Sequence, residues 1–229
     1  MKINIIYDEK RDLGNWESAL STPKSQYGIS WLEKLPQDFD TQKIKDSGYI
    51  VSYIQSNFIE NGKIKTLTNS LVQLINVDQI KKDLEDISGH PVNWNSVNAY
   101  ITTFNRAPYN YENKLIYIVF QEDRLEKVLR TIYHELFHFI FHERYWNGFK
   151  KLGYSENKIH DIKESLTVVL NPTLKFKSLP LDNGYPKHQA LREKILNSWT
   201  TDPNLDHLIE WLKKTIPKSD RQVPHKLDM

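Results

Sequence analysis

The stretch TIYHELFHFIFHE, residues 131–143, places histidine at every fourth position: His134, His138 and His142. Four residues is just over one helical turn, so on a helix the three imidazoles and Glu135 share one side. A lone buried histidine is ordinarily a hydrogen-bonded core residue. Two histidines flanking a glutamate on an otherwise apolar helix need more, because an unpaired buried carboxylate is costly or takes up a proton. A metal ion with water satisfies all three groups together.

His134-Glu135-Leu136-Phe137-His138 has the form HExxH. Imidazoles at i and i+4 can converge on one zinc ion at Zn–N distances of ~2.1 Å, leaving the glutamate to take a proton from water at the open position. The flanks lengthen the pattern: Thr131 and Ile132 precede it, and Phe139 and Ile140 follow. Over about ten residues this resembles the zincin metallopeptidase superfamily.

A catalytic zinc site has three protein ligands plus water. His142 lies a further ~6 Å along the helix axis from His138, too far for a straight helix to wrap all three around one ion. The metzincin turn, HExxHxxGxxH, is missing: Phe141 and Arg144 occupy its glycine and third-histidine positions. Glu164, in HDIKESLTVVLNP, follows on a helix that can return antiparallel after a turn at Gly148–Gly153. The two-helix form is similar to the gluzincins, and ESLTVVLNP to small bacterial ImmA/IrrE-type peptidases. The resemblance implies His134, His138 and Glu164 as zinc ligands. His160, Asp161 and His142 remain rivals to Glu164 or supports for the ligand imidazoles.

Amide hydrolysis also needs a donor for the developing oxyanion. NGYPKHQALREK offers Tyr185 and His188 as catalytic candidates, with Arg192 one turn on as a partner for a substrate carboxylate. LIYIVF, just before the motif helix, reads either as an edge strand that pairs with an extended peptide or as a plain core strand.

The rest of the 229 residues sets bounds. Cysteine is absent, which excludes disulfides, zinc ribbons and a thiol nucleophile. With 31 basic and 29 acidic residues there is no global field for nucleic acid, and no stretch approaches the ~20 apolar residues of a membrane span. The N-terminus does not read as a secretory signal, so a cytoplasmic location is expected.

Along the chain, residues 2–7 read as a strand, 43–58 and 64–87 as helices, and 97–104 and 115–120 as two strands of one sheet or an antiparallel pair. The motif helix is expected from near Glu122 to about Trp146. Further helices follow at roughly 156–170, 187–199 and 203–215, with Asn171-Pro172 a stop and Pro203 in the last helix's first turn. The predicted fold class is α+β: mostly helical, zincin-like, with one small sheet preceding the motif helix. The segments are 1–92 of unknown role, a peptidase core over 93–216, and a flexible tail, 217–229.

The function expected on these grounds is zinc-dependent peptidase activity on a peptide or protein partner, with one Zn²⁺ and Glu135 as general base. The alternative is a zincin fold without catalysis that serves as a binding or regulatory protein.

Overall fold

A computed structural model describes residues 1–218 except 23, 25–27, 29 and 122. The expected tail falls almost wholly outside the described residues, as do Glu122, the expected start of the motif helix, and Pro23.

The molecule is α+β, and its one four-stranded sheet has the order β1-β2-β4-β3. β1 (Lys2–Tyr7), β2 (Ser96–Thr102) and β4 (Leu115–Val119) run parallel, and the short β3 (Tyr109–Asn110) pairs antiparallel with β4. The two strands expected from 97–104 and 115–120 are therefore neighbours in one sheet, and their pairing is parallel. Register explains the sidedness. Ile3, Ile5, Val97, Ala99, Ile101, Ile116 and Ile118 alternate onto one face, where they join the main core. Asn4 and Asn98, hydrogen-bonded at 2.9 Å, and the neighbouring rings of Tyr100 and Tyr117 lie on the other face.

Helix α5 (Leu125–Phe141) carries the histidine motif and packs on the sheet. Val128, Ile132, Leu136, Phe137, Phe139, Ile140 and Phe141 are all buried. Its end widens into a π-helical turn at His142–Trp146 and continues as α6 (Asn147–Lys151). Gly153, at φ +85°, then reverses the chain into α7 (Glu156–Leu166), which runs back against α5. This left-handed conformation favours glycine because it has no Cβ to clash.

Among the described residues four α-helices connect β1 to β2, with short 3₁₀ and π turns between them: α1 (Glu9–Ser21), α2 (Ser47–Ile54), α3 (Lys63–Leu74) and α4 (Val77–Ser88). The single helix expected over 64–87 is two. Asn76 caps α4 by accepting from the Gln79 amide at 3.0 Å, and Ile75 is extended, so the periodicity passes through a break. After α7 a 3₁₀ turn, Thr167–Leu170, leads to α8 (Asn171–Phe176). Pro172 therefore sits in the first turn of a new helix where a stop was expected. The last helices are α9 (Gln189–Thr201) and α10 (Leu205–Thr215). Asn204 is the N-cap of α10, so Pro203 lies before the helix and not in its first turn.

The core has two parts. The larger runs from α3 and α4 through the sheet and α5 to α10. The smaller is aromatic: Trp16, Phe39, Tyr53 and Phe104 pack with Ile50 and Ile54. Asp12 of α1 is buried beneath it, accepting from Thr102 Oγ1 at 2.7 Å and from Thr103 N at 2.9 Å. Since β1 pairs along its length with β2, the sheet and the larger core cross the residue-92 line. That line marks a change of segment within shared packing. No helix among the described residues is long and apolar enough to cross a membrane.

Candidate metal centre

His134 and His138 stand one turn apart on α5, with ring centroids 4.4 Å apart. From α7, Glu164 brings Oε1 to 3.3 Å from His138 Nε2 and Oε2 to 3.6 Å from His134 Nε2. One ligand atom from each residue lies within 4.8 Å of the others, a buried His-His-Glu group that could hold one metal ion. Ligand count favoured Glu164 in the sequence, and the return of α7 after Gly153 brings it there.

The surroundings fix these side chains. His134 Nδ1 pairs with Asp182 Oδ2 at 2.6 Å, which leaves Nε2 facing Glu164. A carboxylate behind a ligand imidazole orients the ring and raises its basicity. Asp182 is in turn held by Asn171, whose Oδ1 accepts from its backbone N–H at 2.8 Å, while Asp182 Oδ1 accepts from Gly184 N at 2.9 Å. Arg192 ties this loop to α7. It donates to the Asp182 carbonyl, to the Glu164 carbonyl at 3.1 Å and to Thr167 Oγ1 at 2.8 Å. Gly184 is required beside it: φ is +59°, and a Cβ there would come within 2.7 Å of the guanidinium.

Lys163 is 2% exposed. Its ammonium lies 2.8 Å from Glu164 Oε1 and donates to Tyr109 Oη at 2.6 Å. Tyr109 Oη also bonds His142 Nε2 at 2.8 Å. Burial acts against the charge on Lys163, but Glu164 and Tyr109 outweigh it and raise its pKa.

Electrostatics separate the two histidines. Burial opposes protonation of His134, yet the charge and hydrogen bond of Asp182 overcome it and push the imidazole up to about 10. His138 is lowered to about 3 by burial, reinforced by the positive charge of Lys163. Burial raises Glu135 to about 7. Glu164 stays well below the carboxylate range despite its burial, because His138 and Lys163 favour its charged form.

Three carboxyl groups, Glu135, Glu164 and Asp182, thus gather round two imidazoles. Glu135 Oε2 and His138 Nδ1 are buried without a hydrogen-bond partner. A dication fits this set on charge and on donor chemistry: two borderline imidazole nitrogens and one hard carboxylate oxygen are a donor mixture that divalent metal ions accept.

Two cavities meet at the cluster. The larger, about 660 Å³, is lined by Tyr109, Tyr111, His142, His160 and Lys163. The smaller, about 310 Å³, reaches Lys34, Arg130 and Asn183. Trp31, Arg106, Ala107, His134, Glu135 and Tyr185 line both.

The remaining candidates separate clearly. Tyr185 lines both cavities. His188 is buried with Nε2 3.0 Å from Asp161 Oδ1 and lines neither cavity. Asp161, bonded also to Lys187 at 2.7 Å, is outside the cluster, and His160 packs edge-on against Trp146. His142 is outside it too, stacked with Tyr111 and Trp146. Arg192, expected to meet substrate, is 3% exposed and spends its donors on backbone carbonyls and Thr167.

Sequence reasoning missed Asp182, Lys163, Tyr109 and Trp31. Asp182 had a faint signal, an Asp-Asn-Gly turn sequence at the edge of the loop that gave Tyr185. Lys163 had none, since adjacent helical positions normally point apart and only its long stem returns the ammonium to Glu164. No family model matches this chain, and neither a curated protein nor a solved structure matches it significantly.

Proposed function

We propose that the protein is a zinc-dependent peptidase, with His134, His138 and Glu164 as ligands and Glu135 as general base. The observation that carries this reading is the position of Glu135. It is 5% exposed, its Oε2 has no partner, and it borders both cavities beside the His-His-Glu group. A site meant only to grip an ion has no need of a second carboxyl there, whereas hydrolysis needs a proton acceptor beside the scissile bond.

A zinc ion held by His134, His138 and Glu164 would supply Lewis acidity, polarising the peptide carbonyl and lowering the pKa of water toward neutrality. The chain does the rest. Glu135 accepts the proton of the attacking water at Oε2 and delivers it to the leaving amine. Asp182 keeps His134 in one tautomer and orientation. Lys163 occupies Glu164 Oε1 and so fixes the carboxyl's rotation. Tyr185, which lines both cavities, is the candidate donor for the oxyanion that develops as the carbonyl is attacked.

Elemental analysis and hydrolysis of a mixed peptide library test the proposal together. Glu135→Gln is expected to retain about one zinc per chain and to lose hydrolysis by at least ~10²–10⁴-fold. Glu164→Ala is expected to lose the metal. Undiminished hydrolysis by Glu135→Gln excludes it as the base, and full zinc content in Glu164→Ala excludes it as a ligand. Zinc-loaded wild-type protein that cleaves nothing in the library would favour the binding-protein alternative.

A further inference from the structure

We propose that the smaller cavity is a binding site for a substrate carboxylate, received between Lys34, Arg106 and Arg130. The three cations come from separate parts of the chain: a turn after Trp31, the loop following β2, and α5 one turn before His134. None has a carboxylate partner among the described residues. Arg106 donates to Ser18 Oγ at 2.9 Å and lies 5.5 Å from the Trp31 ring centre. The Nη1 of Arg130 reaches only the Leu181 carbonyl, at 3.5 Å. The acids in the same wall leave these charges uncompensated. Asp182 is committed to His134 and Gly184, and Glu135 lies buried at the cluster.

Cationic groups left unpaired around a concave site favour an anion, and guanidinium groups favour a carboxylate in particular. Since the cavity shares His134, Glu135 and Tyr185 with the metal centre, a chain lying across the cluster would present its anionic group a short distance from the bond cut. The carboxylate has two possible sources: an acidic side chain or a free C-terminus. The identity of the ligand as a peptide rests on the peptidase reading; the charge preference does not.

The test is binding, read by fluorescence polarisation with zinc-loaded Glu135→Gln protein so that no probe is consumed. The probes are fluorescein-labelled Ala/Gly/Ser decapeptides that carry one Glu, or Gln in its place, at each position in turn. Each is made with a free and with an amidated C-terminus. Binding is expected to be about 10-fold tighter for a carboxylate at one location than for its neutral counterpart, the scale of one charge-assisted hydrogen bond. A preference for Glu at an internal position identifies the side chain, and a preference for the free acid identifies the chain end.

Adding Lys34→Gln and Arg130→Gln should reduce the preference to within about 2-fold, with the thermal melt checking that the fold survives. Raising salt from about 50 to about 500 mM should shrink it as well, without any substitution. Equal affinity for every Glu/Gln and acid/amide pair, absence of binding, or a preference that survives the double substitution would overturn the inference. Failure of the peptidase reading is distinguishable. A protein that cleaves nothing yet prefers carboxylate probes loses only that reading, and an active peptidase without the preference loses only this one.

Discussion

Asp182 is the residue on which the geometry of the candidate metal centre turns. It contributes no ligand atom, yet its 2.6 Å bond to Nδ1 decides which nitrogen His134 offers. Asp182→Asn preserves the shape but removes the charge, and one of its two side-chain atoms is no longer an acceptor. Zinc affinity is expected to fall about 10–100-fold, measured by competition with a chelating dye, while the melt of the chelator-treated protein changes little. A loss no larger than 2-fold would make the contact incidental. The grouping was legible: the spacing of His134 and His138 and the need for a third donor led to Glu164, which the structure places beside them. Asp182 was not, because nothing in a single chain links a loop aspartate to a histidine 48 residues earlier. His188 shows the converse. Its place at the mouth of a helix was read correctly, but packing against Asp161 turns it away from the cavity.

At the scale of elements, the centre depends on α7 returning alongside α5, and Gly153 makes that return. Alanine there must adopt a left-handed conformation at a cost of about 1–2 kcal/mol. Gly153→Ala is therefore expected to lower the unfolding free energy by that amount in a two-state denaturant titration and to weaken zinc binding only modestly, since the proposed ligands are retained. Stability equal to wild type would show that the turn can adopt another conformation. Elements whose signal is local were legible, including α5 with its apolar stripe and β1. Those shaped by competition were not. The helical period continues through Ile75, and only the cap from Asn76 shows that the chain breaks there. The parallel pairing of β2 and β4 was equally hidden, since two apolar runs read the same in either direction.

For the whole molecule, the first 90 residues have a role that composition did not suggest. They supply β1 at the sheet edge, most of the aromatic core that Phe104 completes, and Trp31 and Lys34 at the cleft. The proposed metal centre joins α5, α7 and the Asp182 loop, so loading it should stabilise the assembly as a unit. Zinc at about 100 times its Kd adds about 2.7 kcal/mol by mass action. That corresponds to a rise in Tm of roughly 5–10 °C for a chain of this size. Scanning calorimetry of the chelator-treated protein with and without zinc should show the rise in wild type and lose it in Glu164→Ala. A rise of the same size in both would mean that the ion binds elsewhere.

The sequence by itself determined the helix that carries two histidines and a glutamate, the mixed α+β class, and the need for one more donor from outside that helix. Those follow from periodicity and from the cost of burying charge, which are local or compositional properties. Only the tertiary structure decided which carboxylate orients His134, that a buried lysine touches Glu164, and that Arg192 braces the loop instead of meeting substrate. Each depends on side chains far apart in the chain coming within a few ångströms, and hydrogen-bond energies fall off too steeply with distance for sequence spacing to foretell that.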